Sequence, residues 1–484
     1  MRRERNTKLV ELFALTGWSK GELARLVNRR SASMGHPQLA TDTSRVRRWL
    51  EDGECPRDPV PRVLAALFTE RLGRVVTSED LGLTGRPRHH VPAIPEELPW
   101  STKRTVDALT EFTGMDLMLN RRGFVGTGFA LVAGPVLVTN FDRWLGGDGP
   151  RPVVPPPQRG SFGNRASYAP VDAGPVGADE VAALEHAVTV FRAWDANRGG
   201  GLQRKAVVGQ LNEVGNLLTA ANPAPVTRRL WAVAANLAVL AGWMSHDVGL
   251  NPTAQNYFVI GAHAAREAGD LPRAAEALSR AARQMVHLGK PRDALALIEL
   301  AQHTAGDRAT ATTRAMFRTV EAWAQAALGQ GAACRRTLGL AESEFTTGKP
   351  QDDPDWVGFF DTADLHGMQA LVYRTLAETD PSAVRPAQEH AQKAMELRAQ
   401  GHARSQTFDL ISLASAYLID GQPDAGARYA RMAVDATRDV SSHRTWDRLT
   451  DMRKLTGRYA DVPEIRDLHE EIAERGGLSG PTTA

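Results

Sequence analysis

Six times between residues 249 and 433 the chain repeats one pattern: a turn residue followed by small or apolar residues five, nine and twelve positions later. Gly249 leads Ala254, Phe258 and Gly261; Gly269 leads Ala274, Leu278 and Ala281; Gly289 leads Ala294, Ile298 and Ala301. Gly329 leads Cys334, Leu338 and Ala341; Ser382 leads Ala387, Ala391 and Ala394; Gly421 leads Gly426, Ala430 and Ala433. The spacing is helical, and a repeat this short cannot bury its apolar face alone, so neighbours must stack. Each glycine can end a helix in a left-handed cap, and the small residues let the next helix lie close to its neighbour. The prolines of Gly289-Lys290-Pro291 and Gly421-Gln422-Pro423 suit a first helical turn.

The first three glycines stand 20 residues apart, one helix plus its turn, which makes roughly 40 residues per hairpin. From Asp179 to about Arg475 the expectation is a helical solenoid whose hairpins resemble tetratricopeptide repeats of slightly stretched length. The concave face of such a stack suits extended peptides or other protein segments. The repeat residues themselves are core. Ligand or partner contacts are sought where aromatic and polar residues interrupt the pattern: Trp243, Asp247, Tyr257, Trp356, Asp361 and Arg404. Trp and Tyr bury much area with few rotors and anchor binding sites, although they also plug repeat ends.

The N-terminal end has a different character. A helix over Thr43-Ser44-Arg45-Val46-Arg47-Arg48-Trp49-Leu50 would bury Val46, Trp49 and Leu50 and turn Ser44, Arg45, Arg47 and Arg48 outward, as a DNA-reading helix requires. Before it, Ser19-Lys20-Gly21-Glu22 is a capping-box pattern opening a helix with Leu23, Ala24, Leu26 and Val27. Ala24 suits a helix crossing, and Asn28 could end that helix. The connection from Arg29 to Thr41 is then longer than a helix-turn-helix normally has. Pro61 followed by Val63, Leu64, Leu67 and Phe68 suggests a closing helix of a domain ending near Leu83.

Charge separates the two regions. Residues 1–90 carry 17 Lys and Arg against 11 Asp and Glu, whereas the remainder carries 41 against 45. The basic excess lies wholly at the end expected to meet phosphates.

Other chemistries find no support. Cys55 and Cys334 are too few for a disulfide framework and suit a reducing cytoplasm. The histidines form no HExxH pairing, His89-His90 adjoin a proline-rich linker, and Gly199-Gly200-Gly201 lies between helical segments rather than after a strand. No cofactor, metal site or catalytic constellation is expected. Arg121-Arg122-Gly123-Phe124 ahead of the apolar stretch Val125 to Val138 looks like a twin-arginine export signal, but it is internal, interrupted by glycines and Pro135, and too short to span a bilayer. A buried or partner-covered segment is expected, with membrane attachment as the rival reading. Gly146 to Asp179, centred on Pro155-Pro156-Pro157, has the composition of a disordered linker.

The runs Gly17-Trp18-Ser19-Lys20-Gly21-Glu22-Leu23-Ala24 and Thr41-Asp42-Thr43-Ser44-Arg45-Val46-Arg47-Arg48-Trp49-Leu50, with Gly242-Trp243-Met244 and Asp355-Trp356 through Asp361, resemble the NsdA-type regulators of actinomycetes. That resemblance implies a repressor-like DNA-binding head on a tetratricopeptide-like body, and negative control of sporulation and antibiotic production. The internal Arg121-Arg122-Gly123-Phe124 fits the same pattern.

The expected fold class is all-α: an N-terminal helix-turn-helix domain over 1–83, a linker over 84–99, a small helical unit over 100–145, a Pro/Gly-rich linker over 146–178, a solenoid over 179–475 and a disordered tail over 476–484. The expected function is a cytoplasmic, non-enzymatic transcriptional regulator, a homodimer on double-stranded DNA, with a peptide, small-molecule or protein effector in the repeat groove. Ser44, Arg45 and Arg48 would meet base edges, and Thr43, Arg47, Arg29 and Arg30 would hold phosphates. The alternative is a helical-repeat scaffold for protein–protein interaction that does not bind DNA.

Overall fold

The computed structural model describes residues 6–33, 40–56, 60–72, 76, 81–83, 102–118, 176–198, 200–201, 203–398, 402–440 and 442–478. The chain divides into two units, Met1–Pro92 and Ala93–Ala484. Every regular element among the described residues is helical, and no helix among them is long and apolar enough to cross a membrane.

Unit 1 contains α1 (Thr7–Thr16), α2 (Lys20–Ser33), α3 (Thr43–Glu51) and α4 (Val60–Leu72). Their shared core is Leu9, Leu12, Leu23, Ala24, Val27, Val46, Trp49, Val63, Leu64, Leu67 and Phe68, with Trp18 packed edge-on against Phe68. The capping box forms as its residues predict: the Ser19 hydroxyl accepts from the Glu22 N–H at 3.1 Å, and the Glu22 carboxylate accepts from the Ser19 N–H at 2.8 Å. Helix α1 had gone unread in the sequence, although Asn6 caps its start through the Leu9 N–H and Gly17, at φ 70°, ends it.

One local expectation is corrected. Asn28 does not end α2, which continues through Arg29 and Arg30 to Ser33. Its side chain instead clamps the chain leading into α3, donating to the Thr41 carbonyl at 2.8 Å and accepting from the Thr41 N–H at 2.7 Å. A side-chain amide carries both a donor and an acceptor, so it can satisfy the N–H and the carbonyl of one residue together. The connection to α3 is correspondingly shorter than the count from Arg29 suggested.

Unit 2 begins with α5 (Thr102–Met118), α6 (Ala178–Arg198) and α7 (Arg204–Leu217). The hairpins that follow are α8 (Ala224–Asp247) with α9 (Asn251–Glu267), α10 (Leu271–His287) with α11 (Pro291–Ala305), and α12 (Ala311–Ala327) with α13 (Gly331–Thr347). Next come α14 (Thr362–Leu376) with α15 (Val384–Leu397) and α16 (Ala403–Ile419) with α17 (Pro423–Ala436), and then α18 (His443–Thr456) and α19 (Pro463–Leu478). Successive hairpins pack side by side in a solenoid-like stack.

The repeat pattern is what builds this stack. Gly249, Gly269, Gly289, Gly329 and Gly421 all take positive φ, between 70° and 81°. After Gly269 the Asp270 N–H reaches back to the Ala265 carbonyl at 2.9 Å, and after Gly289 the Lys290 N–H reaches the Met285 carbonyl at 2.8 Å, which satisfies carbonyls that a helix end would otherwise orphan. The residues at plus five, nine and twelve are buried, and a Cβ on Gly261 would stand 2.8 Å from Val239 of the facing helix. Only a residue without a side chain permits that approach.

The small helical unit expected over 100–145 is represented among the described residues by α5 alone, and α5 is not separate. Val106, Leu109 and Phe112 share one core with Val207 and Leu211 of α7 and with Leu230, Trp231 and Leu237 of α8. Arg121-Arg122-Gly123-Phe124, the stretch from Val125 to Val138, the two linkers up to residue 175, and the tail from 479 lie outside the described residues.

Candidate functional site

Two arrangements of arginine stand out, one in each unit. In unit 1, Asp42 caps α3 by accepting from the Arg45 N–H at 2.8 Å. Val46, Trp49 and Leu50 are buried, and Thr43, Ser44, Arg45, Arg47 and Arg48 are all exposed. The helical period alone forces this partition, since 46, 49 and 50 fall on one face. On α2, Arg29 is exposed and Arg30 half-buried. Arg48 lies 3.3 Å from Glu54, and Lys20 pairs with Glu51, so carboxylates share part of this surface. Arg48 must exchange Glu54 for any other acceptor.

Unit 2 contains a partly open cavity of about 1370 Å³ lined by α6, α8, α10, α16, α18 and the segment 345–364. Helix α10 supplies its charged wall. Ala274, Ala277, Leu278, Ala281 and Met285 face the packed core, while Arg273, Glu276, Arg280 and Arg283, three or four residues apart, line the cavity. Arg273 bonds Asn236, and Arg280 pairs with Glu276 at 3.3 Å. Arg192 of α6 also donates to Asn236, at 2.5 Å.

The indole of Trp243 lies against this charged wall. The guanidinium carbons of Arg444, Arg280 and Arg283 lie 4.2, 4.8 and 5.2 Å from its ring centre. Arg280 also faces Phe359 at 4.5 Å, and Arg273 faces Trp356 at 5.3 Å. Such cation–π contacts favour a guanidinium but do not neutralise it.

The ends of the stack meet beside the cavity. Asp247, fully buried at the end of α8, accepts from Ser442 at 2.7 Å, Arg444 at 2.8 Å, the Gly200 N–H at 3.1 Å and Arg404 at 3.3 Å. Arg404 also bonds Asp195 of α6. Burial would raise the Asp247 carboxyl, but Arg444, Arg404, Ser442 and the Gly200 N–H together hold it well below the usual carboxylate range. Burial likewise works against the charge on Arg404, and Asp195 and Asp247 reverse it. The cavity wall is thus fastened by contacts between residues about 150 to 210 positions apart.

Of the residues expected to meet a ligand, Trp243, Trp356, Asp361 and Arg404 line this one cavity. Asp361 also caps α14, accepting from the Asp364 N–H at 2.8 Å. Asp247 anchors the wall from behind through Arg404 and Arg444. Tyr257 is elsewhere: it is fully buried against Phe112 and donates to Asp116 at 2.6 Å, so its assignment to the pocket is withdrawn. Asp116 also takes a bidentate bond from Arg204 at 2.6 Å, and this buried triad ties α5, α7 and α9 together. A buried phenol must place its hydroxyl somewhere, and here a carboxylate on a neighbouring helix provides the acceptor.

The arginines of α10 were missed in the sequence. Their signal was a charged stripe at helical spacing opposite an alanine-rich face, which in an ordinary surface helix faces water.

A family model described as the SP15 N-terminal domain matches residues 9–84. The match spans α1 through the last described residues of unit 1 and does not reach the cavity. No curated protein matches the chain.

Proposed function

We propose that the protein is a DNA-binding transcriptional regulator in which α3 reads duplex DNA and the cavity of unit 2 takes an effector. The observation that carries the reading is the outward row of Thr43, Ser44, Arg45 and Arg47 on a short capped helix anchored by a buried Trp49. The side chains of Arg29, Arg45 and Arg47 have no hydrogen bond or ion pair to other described residues, so these guanidiniums are available to an incoming acceptor. The N-terminal end of α3 adds its positive dipole to theirs.

In this reading α2 and α3 form a helix-turn-helix with a lengthened connection. Ser44, Arg45 and Arg48 meet base edges, Arg48 after releasing Glu54, and Thr43, Arg47, Arg29 and Arg30 hold phosphates. One nine-residue helix reads few base pairs, so two copies on paired half-sites are part of the proposal. The resemblance to NsdA-type regulators supports the further reading of repression of sporulation and antibiotic genes by a tetratricopeptide-like sensor body.

The test is titration of the full-length protein on genomic fragments and then on specific and scrambled duplexes. Arg45→Ala should lose roughly 1–3 kcal/mol on the specific duplex and little on the scrambled one, because a bidentate contact to guanine carries discrimination. Arg47→Ala should weaken both alike and flatten the salt dependence by about one unit. Absence of salt-sensitive retention on any fragment would end the proposal and favour a protein-binding scaffold.

A further inference from the structure

Arg283 is the one cavity-lining cation among those around Trp243 that makes no ion pair within 4 Å among the described residues, Asp364 acting on it only from farther away, whereas Arg280 has Glu276 and Arg444 has Asp247. Its Nε is buried without a hydrogen bond, and the neighbouring charges that act on it most are those of Arg444, Arg280 and Arg448. Arg448, stacked on Phe408 at 4.1 Å, likewise feels Asp409 and Asp451 less than burial and the neighbouring cations Arg444 and Arg374. A second polar atom awaits an acceptor in the same space. The Trp356 indole N–H is buried and unbonded on a side chain only 1 % exposed, and the ring lines the cavity.

We infer that this cavity binds a phosphoryl-bearing small molecule, with the oxyanion held among Arg280, Arg283 and Arg444 beside Trp243. Two features select phosphoryl over carboxylate. The guanidinium forks come from two helices, α10 and α18, and all three lie within 5.2 Å of the centre of one indole. A tetrahedral group with three outward oxygens can take all of them, whereas a planar carboxylate offers two oxygens in one plane. Around Arg283 the cations Arg444, Arg280 and Arg448 outweigh the nearby Asp364, and that local excess of positive charge suits an acceptor carrying close to two negative charges near neutral pH.

Burial depresses the proton affinity of Arg283 and lowers that of Arg448 to about 9. Arginine keeps its proton at neutral pH, so this depression expresses the cost of holding bare cations out of water, and a bound anion would relieve it. The cavity is large enough to hold more than a phosphate, and the partly exposed ring of Phe359 offers an apolar surface for the remainder of the molecule.

The inference deepens the sensing role given to the cavity but does not need α3 to read DNA, so the test uses the full chain without DNA. Inorganic pyrophosphate is titrated by calorimetry and thermal unfolding, with citrate as the carboxylate comparison. The expected result is saturable pyrophosphate binding that raises the unfolding temperature, with citrate at least about tenfold weaker. Arg283→Gln should weaken pyrophosphate about tenfold or more. Arg283→Lys should keep part of the affinity, and Arg385→Gln, on an exposed face of α15, should change nothing. No saturable pyrophosphate binding by the unmodified protein would overturn the inference, whatever the fate of the variants. Equal affinity for citrate would overturn the phosphoryl assignment, and unchanged affinity in Arg283→Gln would overturn the site. Loss of DNA binding with pyrophosphate binding intact would sink only the reading of α3.

Discussion

Helices α3 and α10 both carry a row of arginines opposite an apolar face, yet they hold them in opposite environments. On α3 the guanidiniums stand in water, where an isolated charge costs little and acts on a partner across about a Debye length. On α10, Arg273 is only 8 % exposed and its proton affinity is pushed down to about 10 by burial. In that setting a cation must find a counter-charge or remain a standing electrostatic cost. The same residue type thus serves two purposes: a reach outward for a polyanion, and a demand for a small anion within.

That contrast can be broken first at Asp247. Asp247→Asn leaves Arg444 without its carboxylate and Arg404 with Asp195 alone, and unit 2 should lose about 3–5 kcal/mol of stability. Scanning calorimetry of the full chain should show that transition fall in temperature while the transition of unit 1 stays in place. A fall of less than 1 °C would mean that the meeting of the stack's ends is incidental.

Acidification tests the same region with a smaller effect. His246 and His263 are buried, and burial, with Arg444 and then His287 adding for His246 and Arg266 for His263, holds both well below the ordinary imidazole value of 6.5. Below about 6.5 the unfolded chain takes up protons that the folded chain refuses, so stability should fall as the pH drops through 6 toward 5. The contribution of Asp247 has the same sign but a lower window: it is complete above about 3.8 and is lost as the pH falls below that. Urea denaturation of unit 2 that is flat between pH 7 and 5 would contradict the neutral buried histidines.

The smallest effect sharpens the comparison most. With no anion present, Arg283→Met should leave unit 2 unchanged or raise its stability by about 1 kcal/mol, because an unpaired buried charge is removed and an apolar side chain of similar length replaces it. Arg45→Met should alter the stability of unit 1 by no more than about 0.5 kcal/mol. A marked destabilisation by Arg283→Met would place that side chain in the framework rather than in a site awaiting a ligand.

Legibility in the sequence followed the range of the interactions. The capping box at Ser19 and Glu22, the buried face of α3 and the positive-φ turn glycines are local, and each is fixed by neighbours within about one helical turn. Asn28 was misread because its partner, Thr41, lies 13 residues away. Tyr257 was misread for the same reason, since its acceptor, Asp116, is 141 residues distant. Trp243 and Trp356, which line the cavity, stand out because large aromatics interrupting an alanine-rich pattern are conspicuous in the sequence itself.

The sequence by itself determined that unit 2 is a stack of helical hairpins and that α3 turns its arginines outward, because helical period and turn chemistry act between near neighbours. Only the tertiary structure decided that the charged stripe of α10 faces a cavity within unit 2, that four of the six residues picked as ligand contacts share it, and that Asp247 joins helices from both ends of the stack. Which side of a helix faces water depends on what the rest of the chain brings to it, and periodicity carries no record of that.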